Sequence, residues 1–167
     1  MIQDLKSLVS HSDLARLNIS VLFLHMLITL LFVQIPLLFV DLNWPLAKHW
    51  QAYLVILIAS VIGLLGLMAA ASKYKNAVMQ ISVGGLAVVF LSMVFSQNSL
   101  FYLILLISLF FTCFNYLEAN FPAMILNIAP ARKKVSAMGI YASFEFFSAF
   151  IGGVLSGSNS ELLGIQW

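Results

Sequence analysis

Apolar and polar residues fall in long blocks along this chain rather than in short alternating groups. Five apolar runs stand out, at residues 17–40, 51–71, 77–95, 100–128 and 135–155. Polar punctuation separates them: Asp41-Leu-Asn-Trp-Pro45, Ser72-Lys-Tyr-Lys-Asn76, Ser96-Gln-Asn-Ser99 and Ala129-Pro-Ala-Arg-Lys-Lys134. About 20 apolar residues in a helix cross a hydrocarbon core of about 30 Å. Each run is about twice the length a membrane β-strand needs, and none alternates with period two, so helices are predicted rather than a barrel. The backbone in lipid must satisfy its own hydrogen bonds, which leaves only those two choices. The pattern predicts an all-α, polytopic transmembrane helix bundle of five spans in a single transmembrane domain. Residues 1–16 precede it as a cytoplasmic segment. Residues 156–161 read as a polar, turn-like stretch, and 162–167 are too few to span, so 156–167 form an extracytoplasmic tail.

Composition agrees with lipid as the solvent. Of 167 residues, 62% are hydrophobic and 8% charged, against roughly 45–50% and 25% in soluble domains. A chain of this size has no globular core large enough to hide that excess. The net charge of +2 is too small and dispersed to imply nucleic acid. A single cysteine, Cys113, excludes an internal disulfide. The opening residues carry Asp4, Lys6, His11, Asp13 and Arg16, not the ordered regions of a signal peptide. No phosphate-binding loop, dinucleotide fingerprint or nucleophile elbow is present. His11, His25, His49 and Cys113 stand at no metal-ligand spacing. The expectation is a protein that is not an enzyme, with no cofactor and no metal.

Charge sets the predicted orientation. With the N-terminus inside, the inner segments hold Lys6, Arg16, Lys73, Lys75, Arg132, Lys133 and Lys134, and the outer segments hold Lys48. Short loops rich in Lys and Arg stay cytoplasmic. Trp44, Trp50 and Tyr53 then fall at the outer interface, where aromatic side chains gather. Arg132-Lys133-Lys134 reads first as a topology-setting loop and second as a contact for anionic headgroups.

Two carboxylates lie inside spans. Glu118 stands about ten residues before the cytoplasmic end of the fourth run and Glu145 about ten residues after the cytoplasmic start of the fifth, so both sit roughly 15 Å deep. An ionisable group there costs about 2.5–3.5 kcal/mol on insertion scales and normally faces the interior of a bundle or a cavity. Each is a candidate proton or cation site, or a hydrogen-bonded side chain joining two helices. Phe111, Asn115, Glu118 and Pro122 share one helix face, and Tyr141, Glu145, Ser148 and Gly152 share another. The two faces could line a common cavity or pack helices. His25 shares a face with Thr29, Phe32 and Pro36, as a packing residue or a proton relay. Pro122 is expected to bend the fourth helix. Gly153 and Gly157 form a Gly-x-x-x-Gly, and Ser148, Gly152 and Ser156 repeat small residues every four positions. Gly63, Gly66 and Gly84-Gly85 do likewise on the second and third helices. Small residues of this kind let membrane helices approach closely.

One block carries a family resemblance. Phe114-Asn-Tyr-Leu-Glu-Ala-Asn-Phe-Pro122, then Ala129-Pro130, Lys134, Ala137-Met-Gly-Ile-Tyr-Ala-Ser143, Phe147 and Gly152-Gly153, resembles helices ten and eleven of the major facilitator superfamily, in its drug:proton antiporter-like branch. Leu24-His25, Phe32-Val33 and Pro36 resemble helix seven. The resemblance implies a carrier of twelve helices in two halves, working by alternating access on a small solute, drug-like or metabolite, with protons as coupling ion. It places the chain in a bacterial inner membrane as helices seven to eleven, an incomplete C-terminal half that is inactive without the missing half. Asn115, Glu118 and Pro122 match the family's pattern, and Glu145 stands where a glutamine-like residue is expected. The alternative is a small membrane protein acting as an oligomer or accessory subunit.

Overall fold

The computed structural model describes residues 2–93 and 99–162, and within them there is no strand. Five α-helices follow one another: α1 (Ile2–Val9), α2 (Ser12–Asp41), α3 (His49–Met93), α4 (Leu100–Ile128) and α5 (Lys134–Leu162). Short 3-10 turns at Leu46–Lys48 and Ala131–Lys133 lead into α3 and α5. Among the described residues, four helical stretches are long and apolar enough to cross a membrane: Ser12–Asp41, Leu46–Met93, Leu100–Ile128 and Ala131–Gly157. Ile62, Leu65, Phe101, Val135 and Phe146 are each more than 60% exposed, a surface that suits lipid and not water. The protein is an all-α membrane helix bundle.

Some boundaries depart from the sequence pattern. Residues 2–9 are helical, where the sequence pattern marks only a polar lead-in segment, and Leu8 is buried. The polar residues 156–162 continue α5 rather than turning, since nothing in Ser156-Gly-Ser-Asn-Ser-Glu161 forbids helical backbone once a long helix leads into it. The expected turn at 96–99 lies largely outside the described residues.

The chain packs as two units. One comprises Met1–Ile35 with Asn120–Trp167, the other Pro36–Ala119. In the first, α2 and α5 run parallel. Contacts between them climb both helices together: His25 meets Glu145, the Met26 carbonyl lies against Gly152, and Gln34 donates to Ser156. Buried positions form one stripe on each helix, with Leu14, Leu17, Val21, Leu24, Leu31 and Ile35 on α2. On α5 the stripe is Ala137, Tyr141, Ser148, Gly152 and Ser156. At the lower end of α5, the Lys133 ammonium donates to the Ser7 hydroxyl (3.0 Å), tying α1 to the turn before α5.

In the second unit, α2 ends on a left-handed cap. Asn43 has φ 57°, its N–H donates to the Val40 carbonyl (2.8 Å), and the Trp44 N–H donates to the Phe39 carbonyl (2.9 Å). This is the closure a helix makes when a residue that tolerates positive φ stands just past its end. His49 Nε2 lies 3.1 Å from the Trp44 carbonyl, and the Phe39 ring meets His49 edge-on at 5.1 Å.

Helix α3 would be about 67 Å long if straight, more than twice a hydrocarbon core. It is not straight. Tyr74, between Lys73 and Lys75, has non-helical backbone (φ −127°, ψ 47°). Gly63 and Gly85 stand eleven residues to either side of it. A Cβ at Gly63 would lie 2.5 Å from Thr112 Oγ1, and a Cβ at Gly85 would lie 3.1 Å from Cys113 Sγ. Neighbouring residues of α4 could not reach both glycines on a straight helix, where the two are about 33 Å apart. The arms 49–73 and 75–93 therefore double back at Tyr74 as an antiparallel pair against α4.

Candidate functional site

Within the first unit, the unusual feature is a histidine facing a carboxylate between two apolar helices. His25 Nε2 lies 3.2 Å from Glu145 Oε1, with the side chains 12% and 31% exposed. The other ring nitrogen, Nδ1, lies 3.4 Å from the Val21 carbonyl, one turn back on α2. A carbonyl oxygen only accepts, so this longer contact is a hydrogen bond when Nδ1 carries a proton. Two proton arrangements then satisfy both contacts. In one, an imidazolium donates from both nitrogens, to Val21 and to a Glu145 carboxylate. In the other, a protonated Glu145 donates to Nε2 of a neutral ring whose Nδ1–H still faces Val21. They differ by one proton moved along a 3.2 Å contact, with no change in net charge. Removing that proton altogether leaves either nitrogen or carboxylate facing an acceptor without a hydrogen between them.

Hydroxyls beside the pair turn away from it. Thr29 donates to the His25 carbonyl (2.8 Å) and Ser148 to the Glu145 carbonyl (2.7 Å), each a bond back onto its own helix. Close approach comes from Gly152. A Cβ there would lie 2.8 Å from the Met26 carbonyl and 3.0 Å from Thr29 Cβ, so a side chain has no room without moving backbone. Further along, Gln34 Nε2 donates to Ser156 Oγ (3.3 Å), which is fully buried. The α2–α5 seam thus carries polar side chains over three turns.

The residues singled out in the sequence are distributed unevenly. His25, Tyr141 and Glu145 belong to the first unit, where His25 and Glu145 meet and Tyr141 is buried one turn before Glu145. Asn115 and Glu118 belong to the second, both half-buried on α4, with Glu118 Oε2 shut off from the surface. Pro36 and Pro122 both sit inside continuous helices, α2 and α4. Among the small residues, Gly152 makes the tight contact. A Cβ at Gly153 would lie 4.0 Å from Thr29 Cγ2, an ordinary contact, and a Cβ at Gly157 would meet nothing within 4 Å. The Gly-x-x-x-Gly pair is therefore not the α2–α5 contact; the stripe at 148, 152 and 156 is, because it and not 153/157 falls on the face turned to α2.

The pairing of His25 with Glu145 was not read from the sequence, although a signal existed. Both helices were expected to enter from the same side, and both residues lie some ten positions in. Equal depth on two parallel helices is what lets them meet.

No family model matches the chain, and no solved structure matches it. Two curated proteins do. Over 147 residues, 86% of this chain, it is 33% identical to the inner membrane transport protein YajR of Escherichia coli, of which the match covers 32%. Over 140 residues, 82% of this chain, it is 32% identical to the uncharacterized transporter BU466 of Buchnera aphidicola, covering 36% of that protein. The chain thus spans about a third of the length of the curated relatives it matches. Its helical, lipid-suited architecture and its likeness over most of its residues to these two proteins named as transporters support the resemblance to major facilitator-type transporters carried by the block at 114–153.

Proposed function

We propose that this chain forms part of a proton-coupled carrier that moves a small solute, drug-like or metabolite, across the bacterial inner membrane by alternating access. The observation that carries the proposal is the His25–Glu145 pair, a one-proton device set between two membrane helices. Ionisable residues inside a membrane carry an insertion cost, pair with one another, and are found along ion and proton routes. The named function of YajR as an inner membrane transport protein supports the same class of activity. In this proposal the two arms of α3 each cross the membrane, giving five crossings with the N-terminus in the cytoplasm. Lys73 and Lys75 at the Tyr74 reversal and Arg132–Lys134 before α5 then share the inner side. Asn115 and Glu118 on α4 are further candidates for the pathway, and the remainder of the carrier supplies what this third does not.

The test uses everted vesicles carrying the chain, alone and together with the part of YajR outside the match. A panel of lipophilic cations and small metabolites is added while a dye reports internal pH. The expected result is substrate-dependent proton movement in at least one of the two preparations, abolished by Glu145→Gln. Substrate flux indifferent to the proton gradient and to Glu145→Gln would remove the coupling. No flux of any compound in either preparation would remove the carrier.

A further inference from the structure

At the end of the first unit where α2 and α5 both begin, basic residues gather beside exposed apolar ones. The Lys133–Ser7 hydrogen bond ties α1 to the turn before α5, so Lys6, next in sequence to Ser7, and Arg132 and Lys134, the neighbours of Lys133, flank one contact. Lys6, Arg132 and Lys134 are exposed, and no hydrogen bond or ion pair engages them among the described contacts. Immediately beyond Lys134, Val135 is 88% exposed, and Val9 of α1 is half exposed. Charge next to bare aliphatic surface marks a boundary between headgroup and hydrocarbon. A free phosphate would use the charges and leave the valines in water; a phospholipid uses both.

We propose that α1 and the Ala131–Lys133 turn form a binding site for one anionic phospholipid, its phosphate among Lys6, Arg132 and Lys134 and its acyl chain along Val135. The site is distinct from topology-setting charge in general. Arg16 lies near the same end of α2 but already faces Asp13 at 3.6 Å, and Lys73 sits over the Tyr74 ring at 5.1 Å. Ser7 has the role of holding Lys133 to α1, which positions the cluster. Each basic residue near an anionic membrane surface contributes about a fivefold change in lipid association.

The full chain, purified in detergent, is incubated with phosphatidylglycerol and phosphatidylcholine in equal amounts, and retained lipid is counted by native mass spectrometry. One phosphatidylglycerol is expected per chain. Arg132→Gln and Lys134→Gln should each lower its retention about fivefold, and Ser7→Ala less, while Arg16→Gln and Lys73→Gln leave it unchanged. Helix content by circular dichroism, and insertion orientation by reporter fusion, check that each variant is still the same membrane protein. Equal losses across all five variants would overturn the site in favour of diffuse charge. Displacement of the lipid by millimolar inorganic phosphate would overturn the lipid as its occupant. Neither outcome depends on whether the chain carries a solute.

Discussion

The two units hold their helices together by different means. In the second, contact is a matter of how near backbones can come, Gly63 against Thr112 and Gly85 against Cys113, with the Phe39 ring of α2 against His49 and Tyr53 of α3. In the first, one glycine contact at Gly152 is accompanied by a seam of polar side chains, His25 with Glu145 and Gln34 with Ser156. Lipid tails are as apolar as leucine, so hydrophobicity gives neither unit a reason to associate. Close approach of small residues is enough to build a scaffold. Polar side chains add little stability in a membrane and carry a cost on insertion, so a seam that keeps them is where chemistry is expected.

The largest effect should come from Gly152. Replacing it with Leu would drive a side chain into the Met26 carbonyl, which cannot yield without moving helix backbone. We expect a loss of about 3 kcal/mol of stability, read by steric-trap unfolding in bicelles, and no second substitution on α2 should restore it. Gly63→Ala comes next, at about 2 kcal/mol. Its obstacle is the tip of Thr112, so Thr112→Ala in the same chain should recover most of that loss. Failure of the rescue would mean that the α3 arms do not double back against α4. If both glycine variants behaved alike, the distinction between a backbone contact and a side-chain contact would be lost.

Polar substitutions should be milder. Glu145→Ala is expected to cost about 1 kcal/mol, and Gln34→Ala about 0.6 kcal/mol, the range measured for interhelical hydrogen bonds in membranes. Glu145→Gln should cost less than Glu145→Ala, because an amide still reaches His25, and yet it should stop proton exchange at the pair. Loss of stability with Gln equal to that with Ala would make the pair a brace and not a proton site.

Much of this architecture was legible in the blocks of the sequence. The Lys-Tyr-Lys at 73–75 separates two apolar stretches in the sequence, and within it Tyr74 leaves helical geometry. The long apolar stretches around α2, α4 and α5 needed no more than their composition. Extension of α5 through 156–162 was not legible, since serine, glycine and asparagine read as turn formers unless a preceding helix carries them along. Nor was the choice of Gly152 over Gly153 and Gly157, because a spacing motif does not say which face meets a neighbour. His25 and Glu145 were each visible as membrane-buried polar residues; their contact depended on the direction and depth of two helices 120 positions apart.

Nitrogen NMR of His25 in lipid bilayers, on chain labelled at the imidazole, addresses the proton pair directly. Nδ1 should carry a proton toward the Val21 carbonyl, and Nε2 should report a proton shared with Glu145, shifting when Glu145 is replaced by Gln. An unprotonated Nδ1, with an Nε2 signal that ignores Glu145→Gln, would show that the two side chains do not hold a proton between them.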